Sequence, residues 1–122
     1  MIKNILLVAA GGGVGAALRY GFYLLLKPYP FPYATLMINI AGSFLLGIIM
    51  AMSIRENNPL PENIKLILAT GICGGFTTFS TFSYENIYLF QAGKHNLAFI
   101  YIIASVVAGI SAAWLGFKLI NQ

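Results

Sequence analysis

Four apolar stretches, residues 2–26, 33–53, 64–90 and 97–120, follow one another with only short polar or proline-rich turns between them. A helix rises about 1.5 Å per residue, so about 20 apolar residues cross a hydrocarbon core about 30 Å thick. Every stretch reaches that length. Charged residues make up 8% of the chain and hydrophobic ones 59%, whereas soluble domains carry roughly a quarter charged residues. Such a chain cannot cover a water-facing surface, and lipid must be its solvent. Four spans use up the 122 residues, giving one all-α transmembrane domain over 1–122 with nothing left for a soluble domain.

The turns agree with this division. Lys27-Pro28-Tyr29-Pro30-Phe31-Pro32 stops the first helix, because closely spaced prolines cannot continue it. Arg55 to Asn63 is polar and lies at a water boundary, and Gln91 to Asn96 forms the last turn. The N-terminal Lys3 followed by Ile5 to Ala10 has the look of a signal peptide. The apolar stretch runs on past Gly15 to Leu26, however, which is too long for a signal core. It reads as a retained first helix.

The net charge of +4 does not indicate nucleic acid, since the seven basic residues are scattered and nucleic-acid sites cluster theirs. Lys3, Arg55, Lys65 and Lys118 fall on one side of the membrane, and Lys27 and Lys94 on the other. Lys and Arg bias sets orientation. A bias this weak permits insertion both ways, so that an up copy and a down copy pair. The single cysteine, Cys73, reads as a packing residue, and no Cys/His pattern suggests a metal site. His95 sits in a turn and reads as solvated.

Small residues form stripes. Gly11 and Gly15 make one GxxxG and Gly71 and Gly75 another, while Ser105, Gly109, Ala112, Ala113 and Gly116 line one side of the fourth span. Such faces let helices approach closely in lipid. Four short helices cannot bury these faces and also enclose a pore, so a homo-oligomer is expected.

Polar groups within the spans need a partner, water or a ligand. Thr35, Asn39 and Ser43 recur at four-residue intervals and stack on one helix face, suggesting a polar track. In the third span, Gly71-Ile72-Cys73-Gly74-Gly75-Phe76-Thr77-Thr78-Phe79-Ser80-Thr81-Phe82-Ser83 sets helix-weakening glycines before hydroxyls that bond backbone carbonyls. This predicts a broken helix near 74–78, with backbone groups bared to a ligand. Beyond it Phe79, Phe82 and Glu85 share one side. Ring edges carry partial positive charge, so these rings are either anion contacts or ordinary apolar packing. Arg19 and Glu85 are the charges most deeply set in spans, and such residues default to functional candidates.

Three segments together resemble the Fluc (CrcB) family of fluoride ion channels. They are the glycine-rich first span ending in Arg19-Tyr20, the stretch Asn39-Ile40-Ala41-Gly42-Ser43-Phe44, and Gly74 to Phe82. The resemblance covers essentially the whole chain, though Gly109 stands where some members have a hydroxyl. It implies a passive fluoride channel of the bacterial inner cell membrane, multi-pass, that lowers cytoplasmic fluoride. The implied architecture is four helices with a broken third, assembled as an antiparallel, dual-topology homodimer with two pores. The resemblance puts Asn39, Phe79 and Phe82 in each pore, joined by a polar track of Ser80, Thr81, Tyr101 and Ser105. It gives the carbonyls of Gly74 and Thr77 to one structural Na⁺ at the dimer centre, and makes Arg19 and Glu85 vestibule or gating charges.

Two other readings of the residues compete. A proton-coupled multidrug exporter needs a membrane carboxylate, ordinarily in the first span, where this chain has Arg19. A non-transporting assembly subunit would use the small-residue faces alone. No nucleophile–base pair suggests an enzyme.

Overall fold

A computed structural model describes residues 1–26 and 30–121. Lys27, Pro28 and Tyr29, which carry part of the first turn and one of the orientation charges, lie outside the described residues. The chain is all-helical over its spans. Helix α1 covers Ile2–Leu25, and α2 covers Tyr33–Ser53. Pro32 stands at the N-cap of α2, where a missing N–H costs nothing.

The third span is built in pieces. Short α3 (Glu62–Lys65) widens into π-helical π1 (Leu66–Cys73) and closes through α4 (Gly74–Phe76). Thr77 and Thr78 are then extended, with ψ of 156° and φ of −150° respectively. Helix α5 (Phe79–Gln91) resumes the span, and α6 (His95–Ile120) is the fourth. Gly93, at φ 76°, reverses the chain after α5, a conformation that favours glycine. All four spans are long and apolar enough to cross a membrane.

The break falls within the expected 74–78 but differs from the sequence expectation in its cause. Gly74 stays helical at φ −62° and ψ −39°, and the helix opens only at Thr77 and Thr78. The glycines serve close packing instead. A Cβ on Gly11 would stand 2.5 Å from the Ile67 carbonyl oxygen, and one on Gly71 would stand 2.8 Å from Gly11 Cα. Gly15 abuts the Ile72 carbonyl and Gly75 abuts Gly12 in the same way. Thus α1 lies backbone to backbone along π1 and α4. A second seam joins α2 to α6, where Gly47 meets Ala113 and Gly116 meets Phe44.

The interior is small. Leu89, Ala98 and Tyr101 are buried together, with Phe31, Leu36 and Phe82 packed on them. Most of each span faces outward: only 11% of the most apolar window of α1, and 28% of that of α2, is buried within the chain. Large apolar residues such as Ile5, Leu24, Ile103 and Ile110 stand exposed, as they do when lipid is the solvent. Near the end of α6 the Lys118 ammonium lies over the Trp114 ring, 4.7 Å from its centroid, a pairing suited to a membrane boundary.

Candidate functional site

The polar groups of three spans converge on the break. Helix α2 supplies Asn39, whose carboxamide pairs with both backbone groups of Thr78. Asn39 Nδ2 donates to the Thr78 carbonyl at 3.1 Å, and the Thr78 N–H donates to Asn39 Oδ1 at 2.9 Å. This pairing takes the place of the helical ladder. The Thr78 N–H would otherwise reach the Gly74 carbonyl four residues back, so that carbonyl is released. Cys73 O accepts both the Thr77 N–H, at 3.0 Å, and the Thr77 hydroxyl, at 2.9 Å. From α1, Arg19 Nη1 donates to the Thr77 carbonyl at 3.2 Å.

After the break, Thr78 caps α5. Its Oγ1 accepts the Thr81 N–H at 3.2 Å, satisfying a donor that a helix start leaves open. The same hydroxyl meets those of Ser80 and Thr81, each at 3.2 Å. The hydroxyl run after the glycines is therefore a cap and its neighbours, a role that spacing alone did not assign.

A cavity of about 340 Å³ opens beside this junction. Asn39, Ser43, Gly74, Thr77, Phe79, Phe82 and Ser105 all line it, with Gly109 at its edge. Among the described residues, no acidic or basic side chain lines it. The Ser105 hydroxyl is enclosed and has no partner among the described residues. Gly109 leaves room, since a Cβ there would meet only Ser43 Oγ, at 3.8 Å.

Aromatic rings lead from this cavity to another. Phe79 and Phe82 have centroids 5.6 Å apart, and Phe82 meets Tyr101 edge-on at 5.0 Å. Tyr101 is wholly buried, and its hydroxyl donates to Glu85 Oε1 at 3.3 Å. Glu85 lines the second cavity, about 450 Å³, with Tyr23, Tyr33, Tyr84 and Tyr88. The structure therefore brings Asn39, Phe79, Phe82, Ser105, Gly74 and Thr77 around one space, with Ser80 and Thr81 on its capping turn. Glu85 lines the second cavity, and buried Tyr101 lies between Phe82 and Glu85.

Some expectations change. Thr35, Asn39 and Ser43 share a face of α2 but do not make a continuous track. Thr35 is fully buried and bonds Tyr23 Oη at 2.8 Å, leaving Asn39 and Ser43 at the cavity. Arg19 and Glu85, grouped as charges within spans, serve different places: Arg19 reaches the break and Glu85 reaches Tyr101. Tyr23 was missed altogether, because a tyrosine near a helix end reads as an interface anchor. Only its bond to Thr35 on another helix gives it a place here.

The family model described as CrcB-like protein, Camphor Resistance (CrcB), matches residues 6–117. A protein of Azobacteroides pseudotrichonymphae named fluoride-specific ion channel FluC is 44% identical over 122 residues, covering 98% of this chain and 97% of that one. The protein so named in Flavobacterium psychrophilum is 44% identical over 118 residues, covering 94% of each chain. That of Ignicoccus hospitalis is 43% identical over 116 residues, covering 94% of this chain and 93% of its own. This chain belongs to the CrcB-like family.

Proposed function

We propose that this CrcB-like protein is a fluoride-selective ion channel, which lets fluoride leave the cell passively and so lowers cytoplasmic fluoride. The observation that carries the reading is the cavity at the break, lined by neutral amide and hydroxyl residues and two phenyl rings, with no acidic or basic side chain among the described residues on its wall. Fluoride is small and strongly hydrated. A conducting site must replace its water with donors yet release it again. Asn39 keeps a second N–H after bonding Thr78, Ser105 offers an unpartnered hydroxyl, and Ser43 lies beside them. Phe79 and Phe82 supply polarised ring edges, which attract an anion less strongly than a lysine would. Ser80, Thr81 and Tyr101 continue the path, and Glu85 stands at its mouth with the tyrosines. The relatives named above are ion channels and not enzymes.

The working unit in this reading is an antiparallel homodimer of dual topology in the bacterial inner membrane. Thr70, Gly74 and Ser80 are exposed within the third span, and Phe79 is 79% exposed beside them. Polar groups bared to hydrocarbon are costly, and a second copy of the same face would cover them. The weak charge bias supports pairing of opposite orientations.

Na⁺ fits the donors at the centre of such a dimer. Gly74 offers a carbonyl released from the ladder, and the Thr77 carbonyl keeps one lone pair beyond its bond to Arg19. Hard cations take such oxygens. Two oxygens per chain make half a site, which a second copy completes. When bound, the ion would supply positive potential and tie the two breaks together.

Reconstitution into liposomes loaded with fluoride, read by an ion-selective electrode, tests the function. Fast fluoride efflux with none for chloride is expected. A folded protein that passes neither anion would leave the assembly-subunit reading in its place.

A further inference from the structure

We propose that Arg19 weakens the hold of the break on its cation, because its positive charge stands at an oxygen that the cation also uses. The inference rests on the cation site described above. Arg19 lies half-buried on α1, 58 residues from Thr77 in sequence, and its Nη1 is 3.2 Å from the Thr77 carbonyl oxygen. That oxygen is one of the two that each chain offers to Na⁺.

The charge of Arg19 is not spent on an acid. The chain has three acidic residues, Glu56, Glu62 and Glu85. The first two sit in or beside the polar turn after α2, and Glu85 is bonded to Tyr101. A guanidinium within a span is costly. Here it is held by a neutral carbonyl, which leaves its full positive charge beside the break.

Two effects on the cation then oppose each other. The hydrogen bond orders the carbonyl, which favours a bound ion, and the positive charge repels one. The ordering is largely redundant. Thr77 is already fixed by its N–H and hydroxyl on Cys73 O, and Thr78 by both ends of the Asn39 amide. Repulsion is not redundant, because among the described residues no other base reaches this oxygen and charges interact strongly out of water. Repulsion therefore dominates, and Arg19 trades cation affinity for a permanent positive charge beside the anion path.

The test is thermal unfolding of the purified protein in detergent, with Na⁺ titrated against N-methylglucamine at constant ionic strength. The midpoint of the Na⁺-dependent shift is the readout, and it needs no flux measurement. Arg19→Gln keeps an amide N–H for Thr77 and removes the charge. Its midpoint is expected on the order of tenfold or more below that of the wild type, as loss of a nearby like charge requires. Arg19→Met, which keeps only the apolar stem, should shift the same way, and Arg19→Lys, which keeps the charge, should stay near the wild type. Neutral variants that need more Na⁺, or that do not fold at any Na⁺ concentration, overturn the proposal, since Arg19 would then be holding the break together. A wild-type protein indifferent to Na⁺ also overturns it, together with the cation site. Fluoride efflux, measured separately, would still decide the channel reading.

Discussion

Along the third span, the half before Thr77 and the half after Thr78 are held by different forces. The first half, through π1 and α4, lies against α1 with glycine facing backbone on both sides. Contact there is backbone to backbone and intolerant of a single added carbon. The second half, α5, meets α6 through side chains: Leu89 against Ala98 and Tyr101, Phe82 against Tyr101, and Glu85 bonded to the Tyr101 hydroxyl. Between them Asn39, Arg19 and the Thr78 hydroxyl take up the Thr78 backbone groups, the Thr77 carbonyl and the Thr81 N–H, while the Gly74 carbonyl is left open. In lipid, where no hydrophobic force brings helices together, the seam supplies the rigidity. The half that carries rings and hydroxyls is left free to face a cavity.

Substitutions can separate the two halves. The largest effect belongs to Gly15→Val, whose side chain would drive into the Ile72 backbone. Ordinary overpacking costs about 1–3 kcal/mol, and an obstacle of backbone yields less, so no monodisperse protein should elute from a sizing column. Asn39→Asp comes next. It removes the Nδ2 donor and turns a carboxylate toward the Thr78 carbonyl, costing about 1–3 kcal/mol in detergent unfolding and stopping fluoride efflux by its charge. Normal efflux from that variant would confine Asn39 to holding the break.

Phe82→Ile should act chiefly on function, since isoleucine still fills part of the space against Tyr101. Loss of one polarised ring is expected to cut fluoride efflux by about tenfold or more, with the elution profile unchanged; undiminished efflux would remove ring edges from the mechanism. The smallest effect is expected for Gly13→Ala, two residues from Gly15 on the same helix. A Cβ there meets nothing within 4 Å, and alanine favours the helix by up to about 1 kcal/mol. Its stability should equal or slightly exceed that of the parent. A large loss would mean that this face of α1 is covered by something other than lipid.

Much of this was legible in the sequence, for identifiable reasons. The spans follow from length and hydropathy, since the bilayer fixes both. A break near 74–78 follows from glycines set before hydroxyls, yet the glycines are not what opens the helix. Glycine weakens a helix when nothing else acts on it, but Gly71 and Gly75 are clamped against α1 and remain helical. The chain opens just after Thr77 makes its ordinary helical bond to Cys73 O, where both backbone groups of Thr78 go to the Asn39 amide instead. The π-helical stretch Leu66–Cys73 left no mark in the pattern of residue types, because it changes which carbonyl each N–H meets and not which residues are apolar. Arg19 was legible as a charge within a span, but not as a ligand of the Thr77 carbonyl, which is 58 residues away.

The sequence by itself determined the solvent, the number of crossings and the region where the third helix fails. These depend on composition and on neighbours along the chain, and the apolar interior of a membrane leaves few ways to satisfy them. Only the tertiary structure decided which oxygens are free, which are capped and which are shared. Whether the carbonyls of Gly74 and Thr77 face a ligand depends on Asn39 and Arg19, which arrive from other helices. A hydrogen bond is settled within tenths of an ångström, and the order of residues along a chain does not fix positions that finely.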